Sequence, residues 1–288
     1  MISFDFDYYQ AENAEEAVEK YLELKNKNKN VAYYNGGTEI VTYARKDKMN
    51  FDALIDIKNI PACKSFEDDD DKIVLGASLS LNKVVKENVF PLLSESSKVI
   101  ADHTTRNQIT LGGNLTGRLP FKEALLPLLV AEAEVTTINK DGFRTRPITE
   151  VFDKRMVLDK EEILLQIIID KKKTKLPYFQ TRKVKQSEID YPVLHIAALK
   201  EDNKIKMAIS SLCAFPFRNE KIEEVINDNS LSFEEKIYQV IENLPVPISS
   251  NQRGGKDYKE MLFRNSLGEC LKNLGGDNKW KSIKIIKK

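Results

Sequence analysis

Two short stretches hold residue types that could bind a charged group. Asn35-Gly36-Gly37-Thr38-Glu39 follows the apolar run Val31-Ala32-Tyr33-Tyr34 and leads into Ile40 and VTYARK. Thr110-Leu111-Gly112-Gly113-Asn114 repeats the mixture of hydroxyl, glycine pair and polar side chain. Glycine at a strand-to-helix junction admits backbone angles closed to other residues and lets another group approach closely. Consecutive N–H groups at a helix start form a nest that favours anions, phosphate above all. One glycine pair by itself is no more than a turn. Two of them, neither carrying a lysine, suit one diphosphate held from both sides by neutral donors. The residues alone therefore point to a phosphate-bearing cofactor.

Such stretches need elements to hold them. Ala14, Ala17, Val18, Tyr21 and Leu22 recur at helical spacing, and Asn13 with Glu16 three positions on forms a capping-box pattern. VAYY and ALIDIKNI read as strands on either side of a short helix through TEIVTYARK, so the opening is βαβ-like. FEDDDDKIVLGA predicts a hairpin with Asp68–Asp71 at its tip. SLNKVVKENVFPLLSESSKVIADH predicts helices broken at Pro91. FKEALLPLLVAEAEV predicts a helix running into the strand EVTTINKDGFRTRPI, which turns at Asp141-Gly142. EEILLQIIID is an almost continuous apolar run, as in a strand buried on both faces. Beyond the basic KKKTK, a hairpin turns at Asp202-Asn203, and helices follow near EKIEEVIND, FEEKIYQVIEN and Lys256 to Leu274, the last stopping at Gly275-Gly276. A domain boundary falls near Lys171 to Lys175.

Composition excludes several classes. The 288 residues carry a formal charge of +1, which gives no electrostatic footprint for nucleic acid or an acidic membrane surface. Cys63, Cys213 and Cys270 lie far apart, outside any cluster or zinc spacing, and fit a reducing cytoplasm. No basic-then-apolar leader and no apolar run of ~20 residues is present. GxGxxG, GxxxxGK and GxSxG patterns are absent. The two histidines, His103 and His195, are isolated, which argues against a nucleophilic triad. His195 reads as a satisfied core histidine, while His103 precedes the second glycine turn. The four aspartates read as a solvated turn rather than a cation site, and KKKTK as a solvated loop. Taken singly, Glu39 reads equally as an acid against a helix dipole, Asn114 as a turn cap and Leu164 as core.

NGGTEI followed by ALIDIKNI, and TTRNQITLGGNL followed by LLPLLVAEAEV, resemble the FAD-binding subunit of the molybdenum hydroxylases, the xanthine and carbon monoxide dehydrogenase group. The likeness continues in order through EEILLQIII, IDYPVLHIAAL and a helix beginning near Asp257-Tyr258. It implies an α+β fold: a vanillyl-alcohol-oxidase-type FAD-binding domain over residues 1–172, in lobes of about 1–57 and 58–172, then a smaller α+β domain over 173–288. It implies that Asn35, Gly36, Gly37, Thr38, Glu39 and Ile40 form the first flavin-diphosphate loop, and Thr110, Gly113 and Asn114 the second. Glu123, after Pro120, falls where the family carries an aspartate near the adenosine ribose. Leu164 and Ile100 fall at apolar positions beside the flavin ring, and Arg182 where many members carry a lysine. The chain departs from the family in carrying Asn35 for the usual alanine, and GRLPFKEA for a small-residue and serine–aspartate segment.

The resemblance further implies a cytoplasmic electron-transfer subunit without catalytic acid–base residues or a metal of its own. Its partners would be an iron–sulfur subunit and a molybdenum-cofactor subunit, with NAD or another acceptor taking the electrons. Two alternatives stay open, a stand-alone FAD-dependent reductase or oxidase of the same fold and a scaffold that has lost its flavin.

Overall fold

The computed structural model describes residues 1–187 and 189–275. The helix over Lys256–Gly275 ends at Gly275, and the expected stop at Gly276 lies outside the described residues. The chain divides into two compact units. The first comprises Met1–Val89, Ala101–Leu119 and Glu132–Lys171, and the second Phe90–Ile100, Pro120–Ala131 and the chain from Lys172 on. Two segments upstream of Lys172 thus belong to the second unit.

The first unit opens on a three-stranded parallel sheet in which Ala53–Asp56 lies between Asp7–Gln10 and Val31–Tyr34. The helix Ala14–Asn26 buries Ala14, Ala17, Val18, Tyr21 and Leu24. Its Asn13 side chain caps the Glu16 amide at 2.8 Å, but the Glu16 carboxylate accepts from the Glu12 amide, so the capping box closes one residue early. The strand Asp7–Gln10 is absent from the sequence reading. It is a mostly exposed edge, so no apolar alternation marks it.

A five-stranded sheet follows in the same unit, with Ile163–Asp170 at its centre between Lys72–Gly76 and Glu134–Asn139. Consecutive Ile163, Leu164 and Leu165 are all buried there, which requires cover on both faces. The outer strands are Phe66–Asp68 and Gly142–Pro147. The aspartates form the expected hairpin tip, and Lys171 pairs with Asp68. Asn139 pairs with Gly142, so the other turn is Lys140-Asp141, one residue earlier than expected.

The second unit is built on an antiparallel sheet of Tyr178–Lys183, Leu194–Glu201, Lys204–Ser210 and Phe217–Arg218. Asp202 and Asn203 both have positive φ, as a two-residue hairpin turn requires. Leu194, Ile196, Ala198, Met207 and Ile209 pack with Phe263, Leu267 and Leu271 of the last helix. Alternation along the strand turns His195 and Ala197 to the opposite face.

Candidate functional site

The strand Val31–Tyr34 delivers the first glycine loop to the helix Thr38–Arg45. Gly37 caps that helix at φ +74, a left-handed conformation, and offers no side-chain cap. The Val41 amide opens the helix by donating to Gly37 O at 2.9 Å. Among the described residues, the amides from Gly36 to Ile40 have no acceptor. A run of unused N–H groups at a helix start is an anion-binding arrangement. Each glycine also has a packing reason. A Cβ on Gly36 would stand 2.1 Å from Gln108 O, and one on Gly37 2.5 Å from the Tyr34 hydroxyl. Asn35 braces the loop, its Nδ2 donating to Ala77 O at 3.4 Å. Its Oδ1 is buried without a partner among the described residues.

The second loop differs. Thr110 caps the six-residue helix Leu111–Thr116, its Oγ1 accepting from the Gly113 amide at 3.1 Å. The Leu111 amide donates to Leu79 O at 2.8 Å, Gly112 to Ala77 O at 2.8 Å and Asn114 to Thr110 O at 2.9 Å. Every amide from Leu111 to Asn114 is therefore spent inside the protein, and the expected second nest of free amides does not exist. Its glycines serve contact instead, since a Cβ on Gly112 would stand 2.6 Å from Ala77 Cβ. What the loop offers a ligand is the side chains of Thr110 and Asn114. The donor set fits a diphosphate at the first loop, with the second as a neighbouring wall.

Ala77 is the residue that sequence reasoning missed. Its carbonyl receives both Gly112 and Asn35, so one ledge holds both loops. A backbone carbonyl carries no residue-type signature, and nothing in GASLS announces it. Glu39 reaches the far end of the second loop, where Oε1 accepts the Arg118 amide at 2.6 Å. Ile40 is half-buried against Ala44, Phe51 and Leu54. Leu164 is buried in the central strand beside an irregularity at Gln166. His103 lies exposed in the short helix His103–Arg106, where its carbonyl accepts from Asn82.

Ile100, Glu123 and Arg182 belong to the second unit. Ile100 is buried there. Glu123 is also buried, with Arg182 Nε 4.0 Å from its Oε1. Burial lifts the Glu123 carboxyl above the ordinary carboxylate range, and Arg182 opposes that rise. Burial likewise lowers the Arg182 guanidinium, while Glu123 and Asp190 support its charge. Arg182 also donates to the Asp190 carbonyl. His195 pairs in register with Arg182 on one side and Ser210 on the other. It is a core residue, but both ring nitrogens lack partners among the described residues, so it is not the satisfied histidine expected. Burial, aided by Arg182, pushes its pKa down to about 3.

A family described as the FAD binding domain in molybdopterin dehydrogenase matches residues 4–171. The chain is 27% identical over 173 residues to the carbon monoxide dehydrogenase medium chain of Hydrogenophaga pseudoflava, covering 58% of this chain and 59% of that one. It is 24% identical over 277 residues to the glyceraldehyde dehydrogenase medium chain of Sulfolobus acidocaldarius, covering 90% and 95%. The match to an indole-3-acetaldehyde oxidase of Zea mays spans 15% of that protein. The fold matches the carbon monoxide dehydrogenase structure from Hydrogenophaga pseudoflava with a TM-score of 0.85 at 20% identity, over 96% of this chain and 99% of that one. The quinoline 2-oxidoreductase structure from Pseudomonas putida 86 gives 0.82 at 16% identity, over 96% and 99%.

Proposed function

Because the chain belongs to the family of FAD-binding domains in molybdopterin dehydrogenases, we propose that it is the flavoprotein subunit of a multi-subunit molybdenum hydroxylase. In this reading it takes electrons from an iron–sulfur partner and passes them to NAD or another acceptor. The run of unused amides from Gly36 to Ile40 carries the assignment, since it supplies neutral donors for the cofactor's diphosphate. Thr110 and Asn114 approach the same group from the second loop. When bound, FAD supplies both one- and two-electron chemistry. The chain's own task is to bind, orient and shield, and no side chain need act as acid or base. The match over nearly the full length of a medium chain supports a subunit rather than a stand-alone enzyme. Three buried free thiols suit a cytoplasmic setting. No helix among the described residues is long and apolar enough to cross a membrane.

The test is direct. The purified protein is expected to show flavin absorbance, to release FAD rather than FMN, and to co-purify with iron–sulfur and molybdenum subunits when these are co-expressed. A colourless protein that cannot be reconstituted with FAD would overturn the reading. A flavoprotein that never associates with such partners, yet reduces or oxidises a small molecule alone, would favour the stand-alone alternative.

A further inference from the structure

Glu39 stands in the first turn of the helix that carries the unused amides. A carboxylate in that position competes with an incoming anion for the same helix terminus. Both of its oxygens are occupied elsewhere. Oε1 accepts the Arg118 amide at 2.6 Å and Oε2 the Leu119 amide at 3.4 Å. Those amides come just after the helix Leu111–Thr116 of the second loop. The fit is close, because a Cβ on Gly117 would stand 2.6 Å from Glu39 Oε2 and 2.9 Å from Gly113 O. Only glycine at 117 leaves room for the carboxylate. One side chain thus joins the start of one loop's helix to the end of the other's, across 79 and 80 positions of sequence.

We propose that the Glu39 side chain is a positioning group, a clamp that makes the two glycine loops one cradle, and that its carboxylate is not a ligand of the cofactor, whatever its backbone amide donates to. The inference rests on the FAD reading above. Hydrogen bonds from backbone amides to a carboxylate are stronger than neutral ones. Gly36 also approaches Gln108, and the two loops share the Ala77 ledge. Without the clamp a smaller fraction of molecules holds the binding geometry, and the apparent affinity falls by that fraction.

The experiment compares Glu39→Ala, Glu39→Gln and Gly117→Ala by hydrogen exchange of the flavin-free protein and by FAD titration. Glu39→Ala is expected to lose protection at Arg118 and Leu119 and to raise the FAD Kd roughly tenfold, with the far-ultraviolet spectrum of a folded protein. Glu39→Gln keeps one acceptor oxygen, retains protection at Arg118 and restores the Kd to within about threefold of wild type. Gly117→Ala evicts the carboxylate while leaving Glu39 in the chain, and reproduces the loss; it also serves if Glu39→Ala does not fold. Unchanged protection and affinity in Glu39→Ala would overturn the clamp. So would a raised Kd with both amides still protected in flavin-free protein, since that is the behaviour of a direct ligand. If wild type takes up no FAD, the flavin reading falls, while loss or persistence of protection in Glu39→Ala still decides for or against the clamp.

Discussion

Among the described residues, the backbone amides of the loop from Gly36 to Ile40 are left without acceptors, whereas in the loop at Gly112-Gly113 every amide from Leu111 to Asn114 already has one. The two stretches are near copies in residue type. Their hydrogen bonding separates a loop with amide donors to spare from a loop whose amides are already spent. The difference has a local origin. Gly37 takes a left-handed conformation and caps its helix without a side chain, so the first turn stays unpaired. Thr110 caps its own helix, and the edge at Ala77 and Leu79 consumes the neighbouring amides. A glycine pair therefore reports close approach of something, and only the hydrogen-bond inventory says whether that something is protein or ligand.

The largest expected effect comes from Gly37→Val. A β-branched residue strongly disfavours φ near +74, and its Cβ would meet the Tyr34 hydroxyl at 2.5 Å and ring carbons at 2.6 and 2.7 Å. Flavin retention should fall by on the order of 100-fold or more, read from absorbance after gel filtration. A folded variant with normal flavin content would erase the distinction between the loops. The Tyr34 tip can shift away from a new side chain, so the left-handed backbone at 37 is what requires glycine there.

Unused polar groups do not always mark a binding loop, and His195 supplies the contrast. Its ring is fully buried, so its nitrogens, unpartnered among the described residues, are a burden on stability. The folded pKa, about 3, lies below the ordinary value of 6.5. Above pH 6.5 the ring is neutral in both states and contributes no pH dependence. As pH falls below 6.5 the unfolded chain binds a proton that the folded protein refuses, so stability declines until about pH 3. The limiting slope is about 1.4 kcal/mol per pH unit. Urea unfolding should therefore show the wild type losing about 2 kcal/mol more than His195→Leu between pH 6 and pH 4.5. Parallel pH profiles for the two proteins would mean that the ring finds partners in solution.

Much of the frame was legible in the chain. The stripe Ala14, Ala17, Val18, Tyr21 becomes a packed helix, and ILLQIIID a central strand, because burial alone imposes those patterns. Asp202-Asn203 tolerates positive φ and so marks its hairpin. The strand Tyr178–Lys183 escaped, since it is half-buried throughout and mixes polar with aromatic residues. So did the membership of Phe90–Ile100 and Pro120–Ala131 in the second unit, which long-range packing decides and no local period encodes. At the site, the glycines and hydroxyls were visible as types. Their acceptors were not, because Ala77 O, Leu79 O and Gln108 O are backbone atoms that any residue would provide.

The second loop tests the comparison from the side of stability. Gly112→Ala would press a methyl to 2.6 Å from Ala77 Cβ, so the flavin-free protein should lose roughly 1–3 kcal/mol in urea. A tenfold loss of FAD affinity with unchanged stability would reverse the roles assigned to the two loops. The smallest effect is expected at Thr110, whose Oγ1 satisfies the Gly113 amide. Thr110→Ala removes that cap and should cost about 1 kcal/mol in the flavin-free protein, while Thr110→Ser restores it. The substitution also frees the Gly113 amide, giving the second loop one unpaired donor of the kind the first loop has in series. If unused amides are what the cofactor's diphosphate responds to, Thr110→Ala should weaken FAD binding by less than its loss of stability, because the freed donor offsets part of the damage. Equal losses in unfolding free energy and in FAD binding free energy, measured side by side, would show that the hydroxyl itself, and not the amide beneath it, is what the second loop contributes.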